Sequence, residues 1–493
     1  MKRSLAGAIG TALGSMLNVP GFLRSAMADG VVSWNGNKML FIFLRGGNDA
    51  LNTLIPTGDT AYSASLRPTL YIPGPSDPLT TGGQAPLNPE PGRAIDLGNG
   101  FATMHPSLRD AIPVYNAGEL AIIHRVGYPN QSRSHFDSQR YWETGLPLDD
   151  SEQDGMLYRA IIETGLHETQ LLPAVSMQST MPQIIRGEIP FANIVDPARY
   201  DLLGVYASAR QKHIDYIAKI HGIPYPAKNN RDLMFPTGKR FVNSINQIVG
   251  IDFDNNGRDS NNNKILGSPF LDDDVNLTHL FPIDPESDDK GFNDWSAYSF
   301  FRSLKYSAQV LAGTDSVISG LELDGFDTHN DQGALTGGHA ARMEWIGWAM
   351  YALKKYLSHP SVNLWDKMSV VTMSEFGRTS EENGSFGTDH AEAGVMFVAG
   401  GSINGGVKQC DPNSAVTPWE VGDPGTMFNA NGRYLQRSVD YRSVIGELIR
   451  DHLGASQAQL DKIIPGYSNS SEFLLSGGTS IDGVSIAGEL GLV

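Results

Sequence analysis

The stretch Ser374-Glu375-Phe376-Gly377-Arg378-Thr379, followed closely by Gly387-Thr388-Asp389-His390, gathers a carboxylate, a guanidinium and an Asp-His pair. Such groups bind divalent cations, neutralise anions and move protons. The same types recur in three other polar stretches. Arg45-Gly46-Gly47-Asn48-Asp49 offers Arg45 and Asp49, Ser132-Arg133-Ser134-His135 offers two hydroxyls and an imidazole, and Asp327-Thr328-His329 offers a carboxylate and an imidazole. Asp49, Asp327, His329, Glu375, Asp389 and His390 make a mixed oxygen and nitrogen set. That set suits Zn2+ or Mn2+, because Mg2+ and Ca2+ prefer oxygen alone. Each member also has an ordinary structural reading: a turn residue for Asp49, a helix cap beside a surface histidine for Asp327-x-His329, a loop ion pair for Glu375 and Arg378, and a hydrogen-bonded pair for Asp389-His390.

Placement favours the chemical reading. Each polar stretch follows or adjoins an apolar run: 38–44, 119–127, 316–323 and 368–373, with another run at 394–400 after His390. Runs without period-2 alternation suit strands buried on both faces of a parallel sheet. A further strand is expected at 172–177. Helices are expected from about Ser134, and at 157–164, 295–311, 339–357 and 439–453, the last closed by Gly454. This alternation predicts an α/β fold: a mainly parallel central sheet with helices on both faces, in one domain over 29–493. Open sheets of that kind bind ligands at the carboxyl ends of their strands, so the polar stretches should converge there. Residues 55–100, rich in Pro, Gly and Ser, read as an excursion over the surface, and 199–250 as mostly helical.

Ser134 is the leading nucleophile candidate. A hydroxyl at the first turn of a helix faces exposed N–H groups that stabilise an oxyanion, and a neighbouring metal would lower its pKa. A plain helix N-cap is the ordinary alternative, and Ser132 is a close rival. His135 joins Ser134 in the catalytic set, and Arg45 or Arg378 would neutralise substrate oxygens.

The chain has 493 residues, 40% of them hydrophobic, enough for a large core. A formal charge of −17 with no basic block argues against nucleic acid as a partner. The first 28 residues read as an export signal: Lys2-Arg3, a Gly/Ala/Leu-rich stretch from Leu5 to Leu17, and the small-x-small site Ala26-Met27-Ala28. No other segment has the run of apolar residues that a membrane span needs. The expected location is therefore periplasmic or extracellular, reached by the twin-arginine or the general secretory route. Lone Cys410 forbids an intrachain disulfide. Residues 252–295 are rich in Asp and Asn and read as an insertion. Asp252, Asp254 and Asn256 stand at positions one, three and five of a calcium-loop pattern with Gly257 at six, but Asn263 at twelve cannot supply a bidentate carboxylate. A flexible polar insertion is the alternative to a structural Ca2+ site.

These motifs resemble the family of domains of unknown function 1501. The resemblance rests on Leu44 to Asp49, Ser134 to Phe136, Gly325 to His329, Ser374 to Thr379 and Gly387 to His390. It spans residues 38 to about 466. That family is similar to the alkaline phosphatase and sulfatase superfamily, which implies an alkaline-phosphatase-like fold. It also implies a metal-dependent hydrolase of phosphate or sulfate esters, with a polysaccharide or lipid as a candidate carrier and Ser134 as nucleophile. Two departures bear on the metals: Asp-x-His replaces a wider spacing, and Glu375-Phe376 replaces an Asp-His pair, which removes a nitrogen ligand. These departures count against a two-metal centre and leave room for one metal, or none. The other reading from a different class is a non-catalytic cell-surface or polysaccharide-binding protein that keeps a degenerate site.

Overall fold

The computed structural model describes residues 34–59, 61–75, 92–197, 243–253, 277–411, 433–478 and 484–493, with a few isolated positions between them. The expected export segment, most of the stretch at 199–250, and Asp254 and Asn256 of the calcium pattern lie outside these residues. Asp252 lies inside them and is buried, its carbonyl accepting from Gln309 Nε2 at 2.7 Å.

Nine strands form the central sheet. They are β1 (Lys38–Leu44), β2 (Leu120–Gly127), β3 (Ala174–Ser176), β4 (Ala192–Asn193), β5 (Ile318–Leu323), β6 (Met368–Met373), β7 (Gly394–Ala399), β8 (Gly406–Lys408) and β9 (Val439–Asp440). Their order is β8-β2-β7-β6-β1-β5-β3-β4, with β9 also paired to β2. β1 runs parallel to both neighbours, β5 and β6. The pairs β3–β5, β3–β4, β2–β8 and β2–β9 are parallel as well. β7 is antiparallel to both β2 and β6. The sheet is therefore mixed and mostly parallel. The reversed strand has a direct effect on the site: the loop that leads into β7 lies at the same edge as the loops that leave β1, β2, β5 and β6.

The longer helices among the described residues frame the sheet: α1 (His135–Thr144), α2 (Met156–Glu163), α3 (Trp295–Gly313), α4 (Gly338–Leu357), α5 (Tyr441–Glu447) and α6 (Gln457–Ile463). Successive side chains of a strand point to opposite faces. Leu40, Ile42 and Leu44 of β1 accordingly join one core with Leu304 and Leu311 of α3 and Met343, Ile346 and Met350 of α4. Met39, Phe41 and Phe43 join the other with Trp142 of α1, Leu157 and Ile161 of α2, Val444 of α5 and Leu460 of α6. Burial on both faces explains why β1 shows no polar alternation.

The expected single helix at 439–453 is three pieces. Val439–Asp440 pairs with β2 as β9. Asp440 then caps α5, accepting the Arg442 N–H at 3.0 Å. Beyond Glu447 the helix widens into π turns over Leu448–His452, where the Leu453 N–H reaches Leu448 O at 2.9 Å. Gly454, at φ +87°, closes it. Cys410 is a free, buried thiol. Among the described residues, no helix is long and apolar enough to cross a membrane.

Candidate metal centre at the carboxyl edge of the sheet

Two glycines let the strand tips close on one another. Gly46 has φ +118°, and a Cβ there would stand 2.3 Å from Asp327 N. At Gly47, with φ +86°, a Cβ would stand 2.6 Å from the Phe376 ring. Gly46→Ala is expected to lower the unfolding free energy by about 2 kcal/mol or more, since a positive φ and a close approach both resist a side chain. Urea denaturation measures this, and an unshifted midpoint would contradict it. Ser374 adds a tie between β1 and β6: its Oγ donates to Leu44 O at 2.9 Å and accepts the Asn48 N–H at 2.9 Å.

Three imidazoles and one carboxylate converge above these tips. His329 comes from the loop after β5, His390 from the loop before β7, and His135 from the first turn of α1, after β2. His329 Nε2 and His390 Nε2 are 2.9 Å apart. They lie 3.0 and 3.1 Å from Asp327 Oδ1. His135 Nε2 lies 3.4 Å from Asp327 Oδ2.

The far side of each ring fixes its tautomer. His329 Nδ1 meets Asp389 Oδ1 at 3.1 Å, His390 Nδ1 meets the Arg133 carbonyl at 2.8 Å, and His135 Nδ1 meets Glu375 Oε1 at 2.8 Å. These oxygens accept only, so each Nδ1 must donate, and each neutral ring presents an Nε2 lone pair. His135, Asp327 and His390 each offer a ligand atom within 4.8 Å of the others, and His329 Nε2 adjoins the latter two, an arrangement that a cation relieves. His135 Nε2 is buried and makes no hydrogen bond among the described residues.

The local charges agree with this picture. Burial opposes ionisation of Asp327, but the bond from Arg378 (2.5 Å) and its charge outweigh it and hold the carboxyl at about 2. Burial likewise opposes the Glu375 carboxylate, and bonds from His135, Gln139 and the Gly46 N–H hold it below the usual range. The Glu375 bond raises His135 above the ordinary histidine value against burial. Burial lowers His390 below the ordinary histidine value, which favours its neutral ring. Phe376 packs its ring 4.8 Å from His135 and 4.7 Å from His390, centroid to centroid.

The other expected residues sit as follows. Asp389 and Glu375 stand behind the imidazoles and anchor their Nδ1–H groups. Asp49 is fully buried: Arg67 Nη1 binds its Oδ2 at 2.6 Å, Arg67 Nη2 its Oδ1 at 3.1 Å, and Gln332 Nε2 its Oδ2 at 2.6 Å. Arg378 is buried and donates to the Gly46, Gly47 and Thr388 carbonyls besides Asp327. Arg45 lies between Glu143 at 2.9 Å and Glu322 at 3.1 Å. Ser134 caps α1, its Oγ accepting the Asp137 N–H at 3.5 Å, while Ser132 Oγ donates to Asp137 Oδ2 at 3.3 Å.

Residues 306–413 match a family described as a protein of unknown function, DUF1501. No curated protein and no solved structure matches the chain. The DUF1501 segment carries Asp327, His329, Glu375, Arg378, Asp389 and His390, whereas Asp49 and the stretch from Ser132 to His135 precede it. His135, first read as catalytic, faces Asp327 beside the other two imidazoles. Arg67, Arg133, Gln139 and Arg433 went unnoticed in the sequence. Arg133 and Gln139 flank the Ser134-His135 motif, a signal that could have found them; nothing marks Arg67.

Proposed function

We propose that the chain is an exported, metal-dependent hydrolase of phosphate or sulfate esters. The observation that carries this reading is the meeting of His135, His329, His390 and Asp327, with every Nδ1–H anchored from behind. Anchoring of this kind orients imidazoles toward a metal and raises their basicity. These four residues would hold one divalent ion, Zn2+ or Mn2+ by their chemistry. Such an ion, when bound, polarises an ester oxygen and lowers the pKa of a nearby hydroxyl. A single ion fits best, because the Arg67 guanidinium already neutralises Asp49 where a second cation would be needed.

The chain's own residues would do the rest. Ser134 adjoins His135 at the N-terminus of α1, where free N–H groups and the helix dipole favour negative charge. Its long cap bond of 3.5 Å leaves the Oγ easily released to attack. Arg133 is exposed, stacks its guanidinium 4.7 Å from the Tyr434 ring centroid, and shares its carbonyl with His390. It is the cation placed to meet an ester's peripheral oxygens, a local attraction set against the net charge of −17.

Metal analysis of the purified protein with an aryl phosphate and aryl sulfate screen tests the reading. Ser134→Ala is expected to lower kcat at least about a hundredfold, the scale of losing an activated nucleophile; full activity in that variant removes Ser134 from the role. The second reading, a non-catalytic polysaccharide-binding protein, draws on the engagement of both Arg45 and Arg378. Polysaccharide binding with no turnover of any ester would favour it.

A further inference from the structure

Gln139 joins the metal-site candidate to a neighbouring cleft. Its Nε2 donates to Glu375 Oε1 at 2.9 Å, and its side chain also lines a cleft of about 360 Å3. Asp324, on the same loop as Asp327, lines the cleft as well. That volume falls in the ordinary range for small-molecule sites.

The wall chemistry narrows what can enter. Arg45 is the cationic side chain of the lining, and its charge is taken up by Glu143 and Glu322 at 2.9 and 3.1 Å. With Asp324 beside them, carboxylates outnumber guanidinium, so the cleft repels an anion. Gln178 and Thr180 supply an amide and a hydroxyl. Gln178 is only 8% exposed, and its Oε1 has no hydrogen-bond partner among the described residues. A buried acceptor in that state costs free energy until a donor arrives. Met181 and Pro182 add an apolar wall. Paired donors and acceptors, little positive charge and an apolar side together match a ring bearing several hydroxyls.

We propose that this cleft binds an uncharged sugar ring, the part of the substrate that carries the ester toward His135, His329 and His390. The proposal rests on the hydrolase reading for its second half and names the substrate class as a sugar ester. Gln178 Oε1 accepts from a ring hydroxyl, and Thr180 and Asp324 take the neighbouring ones.

Ligand-observed saturation-transfer NMR tests the cleft without any turnover. The probes are methyl β-glucopyranoside, methyl β-galactopyranoside and methyl N-acetyl-β-glucosaminide, added at millimolar concentration to the full chain with and without zinc. At least one should bind in both states, and Gln178→Leu should weaken it at least about tenfold, the loss expected when a donor meets no acceptor. Thr180→Val, a smaller change, should weaken the same glycoside, which guards against a folding defect in the first variant. Binding of spermidine with no glycoside binding would overturn the proposal, as would glycoside binding unaffected by both variants. Glycoside binding by a protein that hydrolyses no ester keeps the cleft assignment and removes the hydrolase reading. Ester hydrolysis without glycoside binding keeps the hydrolase and removes the cleft.

Discussion

His390→Ala protein is expected to lose its metal, with affinity falling by more than about a hundredfold. Changing a group that merely holds a ligating histidine costs about 10–100-fold, so removing the nitrogen itself costs more. His390 Nε2 lies 2.9 Å from His329 Nε2 and 3.1 Å from Asp327 Oδ1, so its loss opens the middle of the cluster. Asp389→Asn is expected to fall in the lower range, because it weakens the acceptor that fixes the His329 ring at 3.1 Å. Elemental analysis after dialysis and titration against a competing chelator measure both. Wild-type metal content in the His390 variant would end the case for this centre. The fold should survive, since the His390 ring sits at the partly exposed edge of the sheet and not in either core.

Arg67→Met is expected to cost about 3–5 kcal/mol of folding stability at neutral pH, because it strands a buried carboxylate. Arg67 and Asp49 are both fully buried, and Arg67 also donates to the Thr379 and Ser380 carbonyls at 2.7 and 2.8 Å. Burial pushes the Asp49 carboxyl up, yet Arg67 and Gln332 hold it below its ordinary value. A carboxyl depressed in the folded state contributes stability above its unfolded pKa and loses it as the pH falls through the folded one. The penalty of the substitution should therefore shrink in acid, where the stranded Asp49 takes up a proton. Urea denaturation of wild type and variant at neutral and acid pH reads both effects. A penalty below about 1 kcal/mol, the worth of an exposed pair, would mean that the ion pair is solvated.

Much of the architecture was legible because burial on both faces leaves a plain mark. The runs at 38–44, 119–127, 316–323, 368–373 and 394–400 match β1, β2, β5, β6 and β7 within two residues at either end. Their loops were found with them, and so the edge cluster was found. Strand direction left no such mark. The reversal of β7 is decided by its pairing with β2, whose residues lie far away in the chain, as well as with the preceding strand β6. The division of labour among the polar groups was hidden for the same reason. His135 turns Nε2 to Asp327 and Nδ1 to Glu375, and that follows from the docking of α1 against Glu375, which Ser138 and Gln139 also bind. Arg67 sits in a Pro-, Gly- and Ser-rich stretch that reads as surface, yet its side chain is the buried counterion of Asp49.

The reversed β7 also bears on the order of events during synthesis. Chains fold from the N-terminus as they emerge, and His135 is made some 255 residues before His390. β7 is the piece that slots between β2 and β6, so the strand ladder of the described sheet is continuous only once it arrives. An ion could not act as an early seed for this protein. Its capture would report that the last central strand had been threaded home, and a fragment that stops short of residue 399 would remain unmetallated.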